Sequence, residues 1–150
     1  MKQDLLTAIA NEHATVAVFA AVLDEEQRAL VAGSLEPLPA LTERKAQLVA
    51  ELAEHGRCRD RQLNEMGFGA GRAGGEAAAA GDAEIGQAWA ELLTLAAAAK
   101  RNNDLNGSLI RTRLNYTQRA LAALNLGTGE PLYGPDGRQQ AMLGGGSVTA

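Results

Sequence analysis

Cysteine, histidine and aromatic residues are scarce in this chain of 150 residues. Cys58 is the only cysteine, so no intramolecular disulfide can form, and a reducing compartment such as the cytoplasm is favoured. Aromatic residues make up only 3% of the chain, whereas strands are rich in aromatic and β-branched residues. The sequence therefore disfavours a sheet-rich fold.

The chain also lacks an excess of positive charge and a long apolar run. Its formal net charge is −4, so there is no overall basic field to hold nucleic acid or an anionic membrane. The longest apolar run, around Leu92 to Ala99, is too short to span a bilayer, and the N-terminus has no small-residue cleavage site after an apolar core. We expect a cytoplasmic protein without a membrane span.

Apolar residues recur at helical spacing in three stretches, which predicts helices near 4–32, 39–66 and 82–124. In the first stretch, one heptad position is uniformly apolar, and it is occupied by Ile9, Val16, Leu23 and Leu30. The other seam position carries two glutamates, Glu12 and Glu26, among apolar residues. Because a two-stranded coiled coil rarely places glutamate in its seam, we expect a looser bundle contact.

Gly33 and Ser34 predict the end of the first helix, and Pro39 suits the first turn of the second. Matched lengths and a short link predict that these two helices are antiparallel. Asp82 is a candidate N-cap for the third helix, which should pack on the hairpin through Trp89, Leu92 and Leu93. The predicted fold class is all-α: an antiparallel hairpin plus a long third helix, forming a three-helix, coiled-coil-like bundle.

Two segments interrupt this pattern. Residues 67–81 contain six glycines and a single large apolar side chain, which predicts a mobile linker. Poor helix formers cluster from Asn102 to Gly107, which predicts a kink or hinge in the third helix. The expected organisation is a bundle domain at 1–126, followed by an extended segment and disordered tail at 127–150.

The chemical motifs are weak. Residues 69–74 match the dinucleotide-binding glycine pattern, but that motif requires a buried strand before it, and here an amphipathic helix precedes it. His55 and Cys58 could share a helix face as a metal pair, but further ligands are lacking, so a metal-assisted enzyme is the weakest hypothesis. We therefore predict no enzyme activity, no cofactor and no metal.

Several stretches of the chain carry specific residue patterns. The second predicted helix carries Glu43-x-Lys45-x-x-Leu48-x-x-x-Leu52, and the third carries Trp89. The more specific stretches are Asn106-Gly107-x-Leu109-Ile110, Ala120-Leu121-x-x-Leu124 and Leu132-Tyr133-Gly134-x-Asp136-Gly137. Together these patterns resemble the FlgN family of flagellar export chaperones, whose third helix has a tryptophan where Trp89 stands. The resemblance covers roughly residues 4 to 140, although the linker at 67–81 and the glycine-rich tail depart from the family pattern.

The resemblance implies a cytoplasmic type III export chaperone. Its partners would be the hook-filament junction proteins FlgK and FlgL and the export gate component FlhA. Client binding would fall on the far half of the third helix, at Leu109, Ile110, Leu114, Leu121 and Leu124. Gate binding would fall on Tyr133 and Trp89. The alternative from another class is a structural coiled-coil module that uses the same apolar stripes to self-associate.

Overall fold

The computed structural model describes residues 1–124, which form four helices and no strand. These helices are α1 (Lys2–Ala32), α2 (Leu38–Glu65), α3 (Gly71–Gly81) and α4 (Ala83–Leu124). The all-helical prediction is confirmed, and the predicted count of three helices is corrected to four within this part of the chain. The predicted segment at 127–150, which includes Tyr133, lies outside the described residues.

Contacts within the chain define two compact units, one from Met1 to Asn106 and one that begins at Gly107. Helix α4 is one continuous helix from Ala83 to Leu124, and the kink or hinge predicted at Asn102–Gly107 stays a prediction. The predicted domain boundary near residue 126 stays a prediction.

Helices α1 and α2 form the expected antiparallel hairpin. Gly33 adopts a left-handed conformation with φ of 74°, and the N–H of Ser34 donates to the carbonyl of Ala29 at 3.0 Å, which ends α1. Pro39 lies in the first turn of α2, where its missing N–H has no intrahelical role. A five-residue link thus separates α1 from α2 and reverses the chain direction.

The uniformly apolar heptad position of α1 is buried along the whole helix, at Ile9, Val16, Leu23 and Leu30. The two glutamates of the other position each find a cation on α2. Glu12 accepts from the Nη1 of Arg59 at 2.6 Å, and Glu26 accepts from the Nζ of Lys45 at 3.1 Å. The interrupted seam therefore contains two ion pairs, which accounts for glutamate at positions that a plain coiled coil would fill with leucine.

Helix α4 completes the core of the first unit. Ile85, Trp89, Leu92 and Ala99 are buried in the same cluster as the apolar face of α1, and Leu93 packs against it. This confirms the predicted packing through Trp89, Leu92 and Leu93. Asp82 caps α4 as predicted, because its Oδ1 accepts from the backbone N–H groups of Glu84 at 2.9 Å and Ile85 at 3.1 Å.

The segment predicted as a linker contains helix α3 and is corrected accordingly. Composition alone indicated that 67–81 could not offset the entropy of ordering. In the fold, Gly75 lies directly against the Trp89 ring, Ala78 enters the core, and the carboxylate of Asp60 accepts from the N–H of Gly71 at 3.0 Å. Small residues are what this close approach requires, so Gly74 and Gly75, two of the glycines that suggest a linker, are packing residues.

Helix α1 is the one element among residues 1–124 that is long and apolar enough to cross a membrane by length and composition. Such a helix is weak evidence for a span, because the core helix of a soluble bundle has the same character. Its apolar heptad face is buried against the rest of the first unit, and its two seam glutamates are paired with α2. The packing is therefore that of a bundle helix.

Candidate partner-binding surface

The second unit presents an apolar face on α4, which we call the distal row and define as Leu109, Ile110, Leu114, Leu121 and Leu124. Spacings of four, seven and three residues from Ile110 to Leu124 place these side chains along one stripe of the helix. Ile110 is 44% exposed, Leu121 50% and Leu124 78%, while Leu109 and Leu114 are half-buried. The structure thus places the predicted client residues on one helix, with three of the five open to solvent.

One exposed aromatic residue beside this row was missed by sequence reasoning. Tyr116 is 76% exposed and lies seven residues after Leu109, so the two share a helix face. An exposed tyrosine offers an apolar ring together with a hydroxyl, the combination common at interfaces. The heptad spacing from Leu109, in a chain with only two tyrosines, is the signal that could have found it.

Arginine side chains frame the distal row, at Arg111, Arg113 and Arg119. This part of α4 therefore combines an apolar stripe with positive charge, although the chain as a whole is acidic. Such a surface favours a partner helix that carries apolar residues on one face and carboxylates beside them.

Trp89, predicted as a gate contact, lies instead in the core of the first unit. Its ring is 5% exposed, and the guanidinium of Arg59 stacks on it 5.4 Å from the ring centroid. Trp89 is therefore a core residue in this structure, and its predicted contact with the gate stays a prediction. Tyr133, the other predicted gate residue, lies outside the described part of the chain.

The weaker chemical motifs gain no support from their surroundings. His55 and Cys58 are half-buried on α2, and residues 1–124 contain no cluster of three or more His, Cys, Asp or Glu side chains that could hold a metal ion. The glycine pattern at 69–74 follows helix α2 and not a strand, as its sequence context indicated.

Two ion pairs join the beginning of α1 to the beginning of α4. The Nζ of Lys2 lies 2.8 Å from the carboxylate of Asp82 and 2.9 Å from that of Glu84. The hydrogen bond from Lys2, with those from the backbone of α4, lowers the pKa of Asp82, and the carboxylates in turn raise the pKa of Lys2. These groups are solvent-accessible, so they orient the helix ends more than they stabilise the fold.

Comparison with known proteins identifies the family. The family model described as FlgN protein matches residues 1–141. The chain belongs to the FlgN family. Two FlgN relatives, each named flagella synthesis protein FlgN, come from Yersinia enterocolitica and from its serotype O:8 / biotype 1B strain. They are 28% and 30% identical over 127 residues, and each alignment covers 82% of both chains. No solved structure matches the chain.

Proposed function

We propose that this protein is a cytoplasmic chaperone of flagellar export that binds the junction proteins FlgK and FlgL and delivers them to FlhA. Membership of the FlgN family and relatives named for flagella synthesis support a role in flagellar assembly. The observation that carries the binding role is the distal row, whose apolar side chains are exposed on α4. An exposed contiguous stripe of this kind is typical of a site for another protein.

The row suits recognition by helix pairing. Junction proteins would present helix-forming ends that are disordered before assembly, and an amphipathic helix of the client can lie along a partner helix with its anchors spaced by three, four and seven residues. Burying the exposed parts of Ile110, Leu121 and Leu124 would supply the apolar contribution, at about 25 cal/mol per Å² of surface removed from water. Arg111 and Arg119 would orient an acidic client helix. No covalent chemistry is needed.

A triple substitution tests client binding. Ile110→Ser, Leu114→Ser and Leu121→Ser together should weaken the affinity for purified FlgK or FlgL at least tenfold by calorimetry, about 1.4 kcal/mol. The matched control replaces three exposed apolar residues of the first unit, Val18, Leu35 and Val49, by serine and should leave the affinity unchanged. If the distal triple variant binds both clients as tightly as the unmodified protein, the proposed site is wrong. If the free energy of unfolding falls by as much as the free energy of binding, the distal row contributes to core packing instead of client binding.

Gate binding is proposed for Tyr133 from the family resemblance alone. The residue types around Tyr133, with Pro131 and Pro135 on either side, predict a turn, and an aromatic residue in such a turn would lose little conformational entropy on docking. Tyr133→Ala should reduce affinity for the cytoplasmic domain of FlhA by at least about 1 kcal/mol while helicity and client binding stay intact. Unchanged affinity for FlhA would remove Tyr133 from the proposal.

Self-association is the competing role, and the heptad spacing of the distal row is the observation that favours it. Ile110, Leu114, Leu121 and Leu124 lie at alternating seam positions, with Thr117 completing the pattern. A mass that rises with concentration in the absence of any client, and that the distal triple variant abolishes, would support the structural module. A constant monomer mass would favour the chaperone.

A further inference from the structure

Helix α3 is built from residues that form helices poorly on their own. Four of its eleven residues are glycine and five are alanine. Glycine loses more backbone entropy on folding than any other residue, and isolated helices of this length are marginal in water even when rich in alanine. The helix therefore depends on its contacts with the rest of the first unit.

The contacts of α3 with the rest of the first unit bury little apolar surface. The residues that α3 buries are Gly74, Gly75 and Ala78, so little apolar surface is gained when the helix docks. Its side-chain polar contact with α2 is the hydrogen bond from the N–H of Gly71 to Asp60, whereas the exposed pair of Arg72 with Glu76 lies within α3 itself. Of the four helices in the described residues, α3 is the shortest and buries the smallest side chains.

What α3 covers is the single tryptophan of the chain. The Trp89 ring is 5% exposed, with Gly75 against its six-membered edge. Its Nε1 is buried and has no hydrogen-bond acceptor among the described residues. An unpaired buried N–H destabilises the closed arrangement, and opening gives it water as a partner. The stacking of Arg59 on the ring does not involve α3 and would survive opening.

We propose that α3 is a lid over Trp89, which opens by local unfolding while α1, α2 and α4 stay folded. Non-helical backbone flanks it: Gly67 and Gly69 have a φ of 82° on one side, and Asp82 is extended on the other. Asp82 caps α4 through its own carboxylate, so the start of α4 stays capped when α3 leaves. The open form presents the indole ring and its N–H to solvent.

The test measures hydrogen exchange in the full chain by NMR, since one tryptophan gives one indole N–H signal. We expect the Trp89 indole and the hydrogen-bonded amides of α3 to exchange with a common opening free energy, smaller than that of the core amides of α1 and α2. Ala77→Gly, at an exposed position inside α3, should raise the exchange rate of each of these groups about fivefold, the factor for an alanine-to-glycine change in a helix. Gly81→Ala, where an added Cβ meets nothing within 4 Å, should lower it.

Ala17→Gly is the matched control, because it makes the same change at an exposed site inside α1. It should leave the exchange rate of α3 and the indole unchanged. The proposal is overturned if the indole and α3 exchange only at the rate of global unfolding, or if Ala77→Gly and Ala17→Gly affect them equally. Because Gly81→Ala favours the helix, it keeps the test decisive even if Ala77→Gly fails to fold.

Discussion

The side-chain amide of Asn106 donates a hydrogen bond to Glu26 at 3.0 Å. The same carboxylate oxygen accepts from the Nζ of Lys45 at 3.1 Å, and Glu26 is 3% exposed. One buried carboxylate on α1 therefore binds side chains from α2 and α4 together. Removing one partner from a buried ion pair lowers the free energy of unfolding by more than the intact pair contributes to it, because the remaining charge stays buried without compensation.

Lys45→Met should lower the free energy of unfolding by about 3 kcal/mol, because it leaves Glu26 buried with only a neutral donor. Urea denaturation followed by helical circular dichroism measures the change. Adding Glu26→Gln to Lys45→Met removes the uncompensated charge and should recover part of the loss. Arg57→Met is the control, since Arg57 and its partner Glu54 are both exposed, and it should have little effect. Equal losses in the two single variants would show that the buried pair has no special role.

Asn106→Asp and Asn106→Leu should destabilise the fold to different extents. Asn106 is fully buried, and its amide also donates to the carbonyl of Leu23 at 2.9 Å. Leucine removes the donor and should cost about 1–3 kcal/mol. Aspartate removes the donor and adds a second negative charge beside Glu26, so it should cost more at neutral pH, with part of the deficit recovered on acidification. If aspartate is tolerated better than leucine, the hydrogen bond to Glu26 is not what Asn106 provides.

Gly75→Ala should destabilise the fold by about 1–3 kcal/mol, since a Cβ at this position would overlap the indole ring of Trp89. Tryptophan emission should shift to longer wavelength as the ring or α3 is displaced. Gly81→Ala, which adds the same methyl group in open space on the same helix, should be neutral or stabilising. Unfolding monitored by emission and by circular dichroism measures both. If Gly75→Ala and Gly81→Ala have the same stability and the same emission, the contact of Gly75 with the Trp89 ring is contradicted.

The stability of the fold should fall when Asp82 is protonated. Its folded pKa lies below the ordinary value of 3.8, chiefly because of the hydrogen bond from Lys2. Its contribution is therefore complete above pH 3.8 and is lost as the pH falls through the lower, folded pKa. The melting temperature of Asp82→Asn should depend less on pH in this range than that of the unmodified protein, and added salt should reduce the difference. If the melting temperatures of the two proteins depend on pH in the same way, protonation of Asp82 is not the cause of the loss of stability.

Local patterns in the sequence predicted the hairpin, the Asp82 cap and the buried heptad position of α1, because each depends on residues close in the chain. Helix α3 could not be predicted, since Gly75 gains its role only from the Trp89 ring against which it packs. The partners of Glu12 and Glu26 lie on other helices, so periodicity identified the charges without their pairing. In the candidate site, spacing found Ile110 and Leu121, but Tyr116 was missed, because periodicity alone does not show which polar-faced aromatic residue is exposed.

The two ion pairs between α1 and α2 also restrict how these helices can slide past each other. Fourteen residues separate Glu12 from Glu26 along α1, and fourteen separate Arg59 from Lys45 along α2, so both pairs form in one alignment. A shift of one heptad in one direction would place the glutamates opposite Leu52 and Leu38, and a shift in the other would place them opposite Met66 and Leu52. Either would bury two carboxylates against apolar side chains. Charges that weaken the seam as a simple coiled coil thus select a single alignment, and leucine at both positions would allow several.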